Sequence, residues 1–361
     1  MKYFRYYLCV IMLLILSIQI PLLSEENNEP LIEEFNKNFK KKYFSLGVVL
    51  QAVSDFQVER NLPGNNGFSI ANTRLTISGE LDHKFGYLLR TNFVSPFTLL
   101  DVKMYYKFSD PFTLEFGQFK SPFSKEFILP VESIYFVNRS RVVTVLVPGR
   151  QIGFQFRGTP SGRLPFSYAL GIFNGNGTNT NQNDNNDFLF GGRILLSSRE
   201  VLNTSIDYIE LGLNGAFSRD SATRIGEELN PFVFEPLFFD GDRMLLGADF
   251  QIDIKKFMIA GEYINGEYTG TFTSLNNDSI LQDIKAKGFH LTTGYMIHKK
   301  VQLLARWDNF DTDRRENSNW FIAGINSWPT QATEFQVNYV INSDEPAFKY
   351  NQLLINVQIV L

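Results

Sequence analysis

Five basic side chains in one short stretch of the chain are its clearest candidates for chemistry. Guanidinium and ammonium groups bind the oxygens of phosphates and carboxylates, and an arginine does so with a planar set of donors. The stretch therefore predicts a site for an anionic solute. Glu126 and Glu132 lie among these residues and can instead neutralise them by pairing. The five basic residues are Lys120, Lys125, Arg139, Arg141 and Arg150.

The sequence contains few residues of the types that carry out catalysis. The only histidines are His83, His290 and His298, and the only cysteine is Cys9. The chain has no Gly-x-Ser-x-Gly motif, no phosphate-binding glycine-rich loop and no paired histidine motif. We therefore expect no enzyme activity, no metal site and no cofactor. The run 179–187 is rich in Asn and Asp and leaves two interpretations open, a calcium site or a solvated surface loop.

The N-terminus has the features of a secretory signal peptide, which we place at residues 1–24. Two basic residues precede an apolar stretch at 8–20, and Ser24 offers a small residue for cleavage. A single membrane anchor is the alternative, but the apolar stretch is shorter than the roughly 20 residues that a span needs. Residues 25–42 are polar and predict a periplasmic leader segment.

From residue 43 onward, apolar and polar residues alternate with a period of two. In the last ten residues, the apolar side chains from Leu353 to Leu361 occupy every second position. Such alternation places successive side chains on opposite faces of a β-sheet. The predicted strands are 43–53, 67–81, 85–95, 101–108, 113–120, 150–158, 165–173, 188–197, 205–217, 244–254, 257–268, 287–297, 301–309, 319–326, 333–341 and 352–361.

The connections between these strands alternate in length. Short turns such as 255–256 and 298–300 take alternate places with longer connections. This rhythm is typical of a transmembrane antiparallel up-and-down β-barrel, here with about sixteen strands over residues 43–361. A soluble β-sandwich or propeller is the alternative, and the aromatic content of 15% favours the barrel. The long connections are 54–66, 121–149, 174–187, 218–243, 269–286, 310–318 and 342–351.

Composition excludes other classes of protein. The chain has 361 residues, of which 44% are hydrophobic and 20% are charged, and a formal net charge of -4. A mean hydropathy of -0.12 rules out a bundle of membrane helices. A slightly acidic chain without basic blocks is not expected to bind nucleic acid.

Further basic residues lie on the predicted polar strand faces, which point into the lumen of a large barrel. Acidic residues such as Asp101, Glu115 and Glu262 are mixed among them, so the lumen does not form a continuous basic ladder. The alternative is that these charges only pair across strands. The predicted lumen-lining basic residues are Arg74, Arg90, Lys103, Arg157, Arg193 and Arg306.

Residues 113–173 carry the most distinctive motifs. They include Gly117–Glu126 (GQFKSPFSKE), Asn138–Ser140 (NRS) and Pro148–Gly153 (PGRQIG), followed by Leu170–Gly175 (LGIFNG). In this order and spacing, the motifs resemble those of the phosphate-selective porin O and P family over roughly residues 70–175. The resemblance implies a 16-stranded, usually trimeric outer-membrane porin that passes anions. The net acidic charge and the C-terminal Leu361 depart from the family pattern, and the former leaves phosphate selectivity open.

We therefore expect a passive porin for small anionic solutes, exported to the outer membrane of a diderm bacterium, in contact with lipid and forming a homotrimer. The longest connection, 121–149, is expected to fold inward and limit solute size and charge. Its basic residues then either form an electropositive constriction or lock the loop to the wall. The alternative function is a non-conducting surface barrel that binds partners, as an adhesin does, through the loops 218–243 and 269–286.

Overall fold

The computed structural model describes most of the chain from residue 30, within the predicted leader, onward. The predicted signal peptide, residues 1–24, lies outside the described residues, as do parts of several predicted connections. The described residues are 30–57, 66–109, 111–160, 166–199, 205–226, 229, 237–274, 278–313, 315–343 and 351–361.

Sixteen antiparallel strands form one closed barrel, as the sequence predicts. Each strand pairs with its neighbours along the chain, and the first strand closes the barrel against the last. The strands are β1 (Ser45–Gln57), β2 (Gly67–Glu80), β3 (Phe85–Asn92), β4 (Thr98–Ser109), β5 (Phe112–Lys120), β6 (Arg150–Gly158), β7 (Phe166–Phe173), β8 (Leu189–Arg199), β9 (Tyr208–Ile225), β10 (Leu237–Ile254), β11 (Phe257–Thr273), β12 (Ser279–His298), β13 (Val301–Thr312), β14 (Arg315–Ser327), β15 (Thr333–Asn342) and β16 (Asn351–Val360).

The two faces of the sheet differ as expected for a barrel in a membrane. Large apolar side chains such as Leu213, Leu246 and Met104 are exposed on the outside. Polar side chains such as Gln51 and Asn356 are buried on the inside. An apolar outer band and a polar interior are what lipid on one side and water on the other require.

Strands β9 to β12 are longer than the sequence predicts, with 17 to 20 residues each. They take up much of the regions predicted as loops 218–243 and 269–286, so the connections there are shorter than predicted. The polarity of the faces is reversed in these extensions. Phe239 and Tyr268 are buried inside, whereas Arg219 and Lys285 are exposed outside. A strand with a charged outer face does not match the pattern of a lipid-facing strand, although it alternates equally well.

Three helices accompany the barrel. The predicted leader contains α1 (Pro30–Phe39), and the connection 121–149 contains α2 (Lys125–Ile128) and α3 (Arg141–Leu146). After α1, the Lys40 ammonium donates to the main-chain oxygen of Leu361 over 3.2 Å, which ties the two ends of the barrel together. No helix within the described ranges is long and apolar enough to cross a membrane.

Gly117 on β5 offers a direct test of how closely β5 packs against β4. Its φ is +127°, and a Cβ at this position would lie 2.0 Å from the main-chain oxygen of Val102 on β4. Gly117→Ala is therefore expected to prevent folding, since backbone strain alone costs about 1–3 kcal/mol and the clash adds to it. The measurement is the loss of the heat-modifiable barrel band after refolding in detergent.

Gly67→Ala is the matched control, because Gly67 also lies in a strand but has no atom within 4 Å of the position of a Cβ. This variant should fold like the unaltered chain. Normal folding of Gly117→Ala would contradict the packing described for β4 and β5.

Candidate functional site

The connection 121–149 is closed at its base and then runs to the far side of the barrel. The main-chain nitrogen and the hydroxyl of Ser121 both donate to the oxygen of Gly149, over 3.2 Å and 3.0 Å. Beyond this base, the segment contacts the inner faces of β9 to β16. We call these inner faces the packed wall.

Side chains of the packed wall accept hydrogen bonds from the main chain of the segment. Asn214 on β9 accepts from the nitrogen of Ser124 over 2.9 Å. Asn338 on β15 accepts from the nitrogen of Val137 over 2.7 Å. These wall side chains take the place of the partners that a strand or a long helix would provide, so the segment meets the requirement of a buried backbone.

Wall amides also donate to main-chain oxygens of the segment. Asn326 donates to Tyr135 over 2.8 Å, and Gln336 donates to Ile134 over 3.0 Å. Gln358 donates to the oxygen of Glu132 over 3.2 Å. The inward-facing Asn and Gln side chains of the last strands therefore bind the main chain of this segment.

A buried ion pair lies at the centre of these contacts. Glu126 on α2 meets the guanidinium of Arg306 on β13 at 2.5 Å and accepts from the nitrogen of Ser140 over 2.8 Å. The Arg306 guanidinium also lies 4.3 Å from the centre of the Phe136 ring, which adds a cation–π contact to the ion pair. The pair joins residues that are far apart in sequence and fixes α2 against the opposite side of the barrel.

Burial alone would raise the pKa of Glu126. The neighbouring Arg306 and His290 and the hydrogen bond from Ser140 outweigh burial and lower that pKa from 4.5 to about 2. A depressed carboxyl pKa stabilises the folded state above the ordinary pKa of the group. That contribution is lost as the pH falls from about 4.5 towards 2.

An apolar core inside the barrel supports the same contacts. Phe123, Val142 and Leu146 of the segment are fully buried and pack against Leu245 and Ile264 of the strands. The lumen is therefore not polar on every strand, in contrast to the regular polarity expected from the sequence. The segment and the packed wall fill one side of the barrel with a dry core.

Several of the predicted basic residues lie on this packed side. Lys125 lies 2.9 Å from a carboxylate oxygen of Glu210 on β9. Arg193 on β8 donates to Asp249 on β10 over 2.8 Å. Together with Arg306, these residues pair with acids, although the acidic partners of Lys125 and Arg193 lie on the strands and are not the Glu126 and Glu132 of the segment.

Arg141 also lies on the packed side, against the strands opposite the origin of the segment. Its main-chain nitrogen donates to Asp308 over 2.9 Å, and its guanidinium bonds to Ser318. The guanidinium lies 4.7 Å from the ring centre of Trp320. These contacts make Arg141 an anchor of α3.

Five other predicted residues come together on the opposite side, and we call them the basic cluster. Arg74 lies close enough to Arg150, Arg90 and Arg139 for electrostatic repulsion between their side chains. Lys120 has the same relation to Arg139, Arg150 and Arg74. The structure thus joins three residues predicted for the constriction with two predicted for the lumen wall. The basic cluster consists of Arg74, Arg90, Lys120, Arg139 and Arg150.

The basic cluster is held by oxygen acceptors. Asp101 on β4 accepts from Arg150 over 2.9 Å and lies 3.3 Å from Arg90. Arg139 donates to main-chain oxygens of the segment, over 3.1 Å to Glu126 and 2.8 Å to Leu129. Burial lowers the pKa of Arg139, and the nearby Arg150 adds to that effect.

Lys120 is the member of the basic cluster with the closest main-chain contacts. Its ammonium donates to the oxygens of Phe127 and Leu129 over 2.6 Å and 2.7 Å. These bonds tie the end of β5 to the turn after α2. Lys120 therefore fixes the shape of the segment beside the arginines of the cluster.

A smaller group lies on the same wall. Glu115 on β5 lies 2.8 Å from the Lys103 ammonium and 2.7 Å from the Arg157 guanidinium. Two positive charges thus share one carboxylate. Along β2 to β6, which we call the facing wall, the named basic side chains outnumber the acidic ones.

Sequence reasoning did not find the partners of the segment. Asp308 and Glu262 accept from segment nitrogens, over 2.9 Å to Arg141 and 3.2 Å to Glu126, yet nothing local marks them for this task. The Asn- and Asp-rich run 179–187 forms turns closed by its own side chains, in which Asn183 donates to the oxygen of Asp187 over 2.7 Å. Within the described ranges, no group of three or more His, Cys, Asp or Glu residues could hold a metal ion.

Comparison with known proteins gives one family and several related folds. A family model described as phosphate-selective porin O and P matches residues 48–347. A search of curated proteins by sequence found no match.

Solved outer-membrane proteins share the fold at low sequence identity. A loop L8 deletion mutant of OmpT from Vibrio cholerae is 11% identical over 88% of this chain and 99% of its own, with a TM-score of 0.61. An anion-selective porin from Comamonas acidovorans is 11% identical over 89% and 100%, with a TM-score of 0.60. The trimer form of in-vitro folded OmpT from Vibrio cholerae is 10% identical over 88% and 99%, with a TM-score of 0.57.

The buried Glu126–Arg306 pair can be tested by a double-mutant cycle. Glu126→Gln or Arg306→Met alone leaves one charge buried without its partner, which costs about 3–5 kcal/mol. The double variant should lose less than the sum of the single losses. The measurement is urea unfolding of the detergent-solubilised barrel, followed by tryptophan fluorescence.

The exposed pair Arg219 and Asp242, whose atoms lie 2.8 Å apart, is the control. Arg219→Met and Asp242→Asn should leave the unfolding midpoint almost unchanged, because water screens this pair. Purely additive losses for Glu126 and Arg306 would show that the two side chains do not act together.

Proposed function

The chain belongs to the phosphate-selective porin O and P family and is an outer-membrane channel protein, and we propose that small anions are its preferred solutes. Solutes would move passively down their gradient, without an energy source or a cofactor. The route lies between the segment 121–149 and the facing wall, since the opposite side of the barrel is filled by a packed core.

The basic cluster is the observation that supports anion preference. Four of its members come from β2, β3, β5 and β6, and the fifth, Arg139, comes from the segment. Positive groups that approach one space from both the wall and the segment raise the local concentration of anions and repel cations. Planar guanidinium groups also suit the oxygens of phosphate and carboxylate.

The acidic partners explain why such a site would conduct and not trap its solute. Asp101 already occupies part of the donor capacity of Arg90 and Arg150. An entering anion therefore competes with a resident carboxylate and binds only weakly. Conduction requires binding that is strong enough to admit a solute and weak enough to release it.

The segment 121–149 has two roles in this proposal. Glu126, Lys125 and Arg141 lock it to the packed wall, while Arg139 and Lys120 contribute to the electropositive constriction. The two interpretations left open by the sequence are thus assigned to different residues of the same segment. A rigid segment also keeps the size limit of the channel constant.

The remaining expectations complete the proposal. Residues 1–24 would direct export and be removed, residues 25–42 would remain in the periplasm, and residues 43–361 would form the barrel. We also propose a homotrimer in the outer membrane, by analogy with the trimer form of OmpT from Vibrio cholerae. The family membership and the shared barrel fold support this assignment.

The anion preference is tested by the double variant Arg74→Ala with Arg150→Ala. The two changes make the local charge more negative by two units, and the loss of Arg150 leaves Asp101 with Arg90 as its remaining named partner. Each charge is worth on the order of 1 kcal/mol, so anion selectivity should fall by about fivefold or more. The measurement is the reversal potential of single channels in a planar bilayer under a salt gradient.

Arg219→Ala is the control, because Arg219 is a basic residue exposed on the outer face of β9. Its reversal potential should remain that of the unaltered channel, whereas Arg139→Ala should reduce anion preference. Cation preference in the unaltered chain would overturn the proposed solute class. A folded, heat-modifiable barrel without conductance would favour the surface-binding alternative.

A further inference from the structure

The end of the barrel that carries the short turns has an excess of lysine on its surface. An outer-membrane barrel places its short turns on the periplasmic side, so this end meets the periplasmic leaflet of the membrane. In the described part of the turns and in residues 41–44, exposed lysines outnumber the exposed acidic residues, which are Asp82 and Asp207. We call these residues the turn-end lysines, and they are Lys41, Lys42, Lys84, Lys255, Lys256 and Lys299.

The two acidic residues of the turns are used to close the turns. Asp82 accepts from the main-chain nitrogens of Lys84 and Phe85, over 2.6 Å each. Asp207 accepts from the main-chain nitrogen of Lys255. These carboxylates therefore stabilise the backbone at the turns and do not form ion pairs with the ammonium groups beside them.

The outer surface at the opposite, loop end is different. Its exposed charges form pairs, with 2.8 Å between Arg219 and Asp242 and 3.7 Å between Lys285 and Glu267. At the turn end, Lys42 lies 3.6 Å from a carboxylate oxygen of Glu80. The barrel thus has balanced charge outside its loop end and unbalanced positive charge outside its turn end. Within the described ranges, the turn-end lysines without an ion pair are Lys41, Lys84, Lys255 and Lys256.

Exposed aromatic rings place the turn-end lysines at the membrane surface. Rings near the strand ends form a girdle at the level of the lipid headgroups. Three of the rings directly follow a turn-end lysine in the sequence, in the pairs 42–43, 84–85 and 256–257. An ammonium group next to such a ring lies at the height of the headgroup phosphates. The exposed rings of this end include Tyr43, Phe85, Phe108, Phe112, Phe257 and Tyr295.

The chain enters β1 from the outer side of the barrel. The hydroxyl of Tyr87 on β3 donates to the main-chain oxygen of Tyr43 over 3.0 Å. Tyr87 pairs across the strands with Met104, which is exposed on the outer face. A Cβ at Gly79 would lie 2.1 Å from the same oxygen of Tyr43, so the chain crosses closely over β2. Tyr43 and the neighbouring Lys42 therefore lie on the side that faces lipid.

Lys255 occupies a backbone conformation that does not favour lysine. Its φ is +53°, in the left-handed region where glycine and asparagine are preferred. Strained residues of this kind persist where their side chain has a function. The turn between β10 and β11 gives no conformational reason for a lysine, whereas a position beside lipid headgroups does.

We infer that the turn-end lysines bind the headgroup phosphates of anionic phospholipids in the periplasmic leaflet. Unbalanced positive charge at the level of the headgroups is complementary to these lipids. The surface is also continuous with the apolar band that already contacts acyl chains. Each lysine near an anionic membrane surface strengthens binding by about fivefold. The inference concerns the outside of the barrel, and it does not depend on which solute passes through the lumen.

Spin-labelled lipids measure this preference. The refolded chain is placed in phosphatidylcholine vesicles that contain a trace of spin-labelled phosphatidylglycerol or spin-labelled phosphatidylcholine. Electron paramagnetic resonance then gives the fraction of each label that is immobilised at the barrel surface. At low salt, the unaltered chain should favour phosphatidylglycerol by about twofold or more, averaged over the whole perimeter. The preference should disappear in about 1 M salt, which screens charges beyond about 3 Å.

Substitutions locate the preference at the turns. Lys84→Gln with Lys256→Gln removes two unpaired charges and should bring the two labels closer to equal immobilisation. Lys84→Arg with Lys256→Arg is the matched control, because it keeps both charges at the same positions. The arginine variant should retain the preference of the unaltered chain. Both variants must first show the heat-modifiable band of a folded barrel.

Lys255→Asn separates lipid binding from a role in folding. Asparagine adopts a positive φ more readily than lysine, so this variant should unfold at a higher urea concentration than the unaltered chain. Its preference for phosphatidylglycerol should nevertheless fall. A loss of stability with an unchanged lipid preference would assign Lys255 to the turn itself and contradict its role in lipid binding.

The remaining outcomes are equally decisive. Equal immobilisation of both labels by the unaltered chain at low salt would overturn the inference. An unchanged preference in the glutamine variant, or equal losses in the glutamine and arginine variants, would overturn it as well. The altered lysines lie in turns and not in the basic cluster, so a negative result leaves the anion preference of the channel untouched. The reversal potential of single channels tests that preference separately.

Discussion

A polypeptide segment inside a barrel needs partners for its backbone, and the structure of this channel depends on how that need is met. The segment 121–149 contains only two short helices and a single turn of 3-10 helix, so many of its amides and carbonyls have no local partner. Side chains of the packed wall supply the missing bonds, and the buried pair of Glu126 and Arg306 fixes the position. Each such contact is costly to break, because a buried polar group without a partner loses its hydration. The segment is therefore held as a fixed part of the barrel.

This way of fixing the segment divides the charges of the lumen. Acids such as Glu126, Glu210 and Asp249 are used on the packed side, where they pair with Lys125, Arg193 and Arg306. The facing wall keeps more basic than acidic groups. A chain with a net charge of -4 can therefore carry an electropositive path. The overall charge of a porin says little about its lumen, because the charges that hold its loops are counted together with those that meet the solute.

The sequence predicts the parts of this structure that depend on local pattern. Period-two alternation predicts all sixteen strands, because every second side chain of a lipid-facing strand must be apolar. It misses the extensions of β9 and β12, where the apolar face turns inward because Phe239 and Ile284 pack against the core inside the barrel. It proposes the right basic residues but does not separate their roles. Arg139 and Arg141 are two positions apart in sequence, yet one joins the basic cluster and the other contacts Trp320. That difference depends on barrel closure, which brings distant strands to the segment.

The unequal height of the wall connects these features. The segment leaves the barrel between β5 and β6, on its low side, and reaches the tall strands opposite. The tall strands gain an inner core from Val142, Leu146 and Phe123, so they are supported from within. The short strands of the low side, β3 and β5 to β7, do not contribute to this core. The facing wall carries the basic cluster on its inner side, where it would meet a passing anion in the proposed channel.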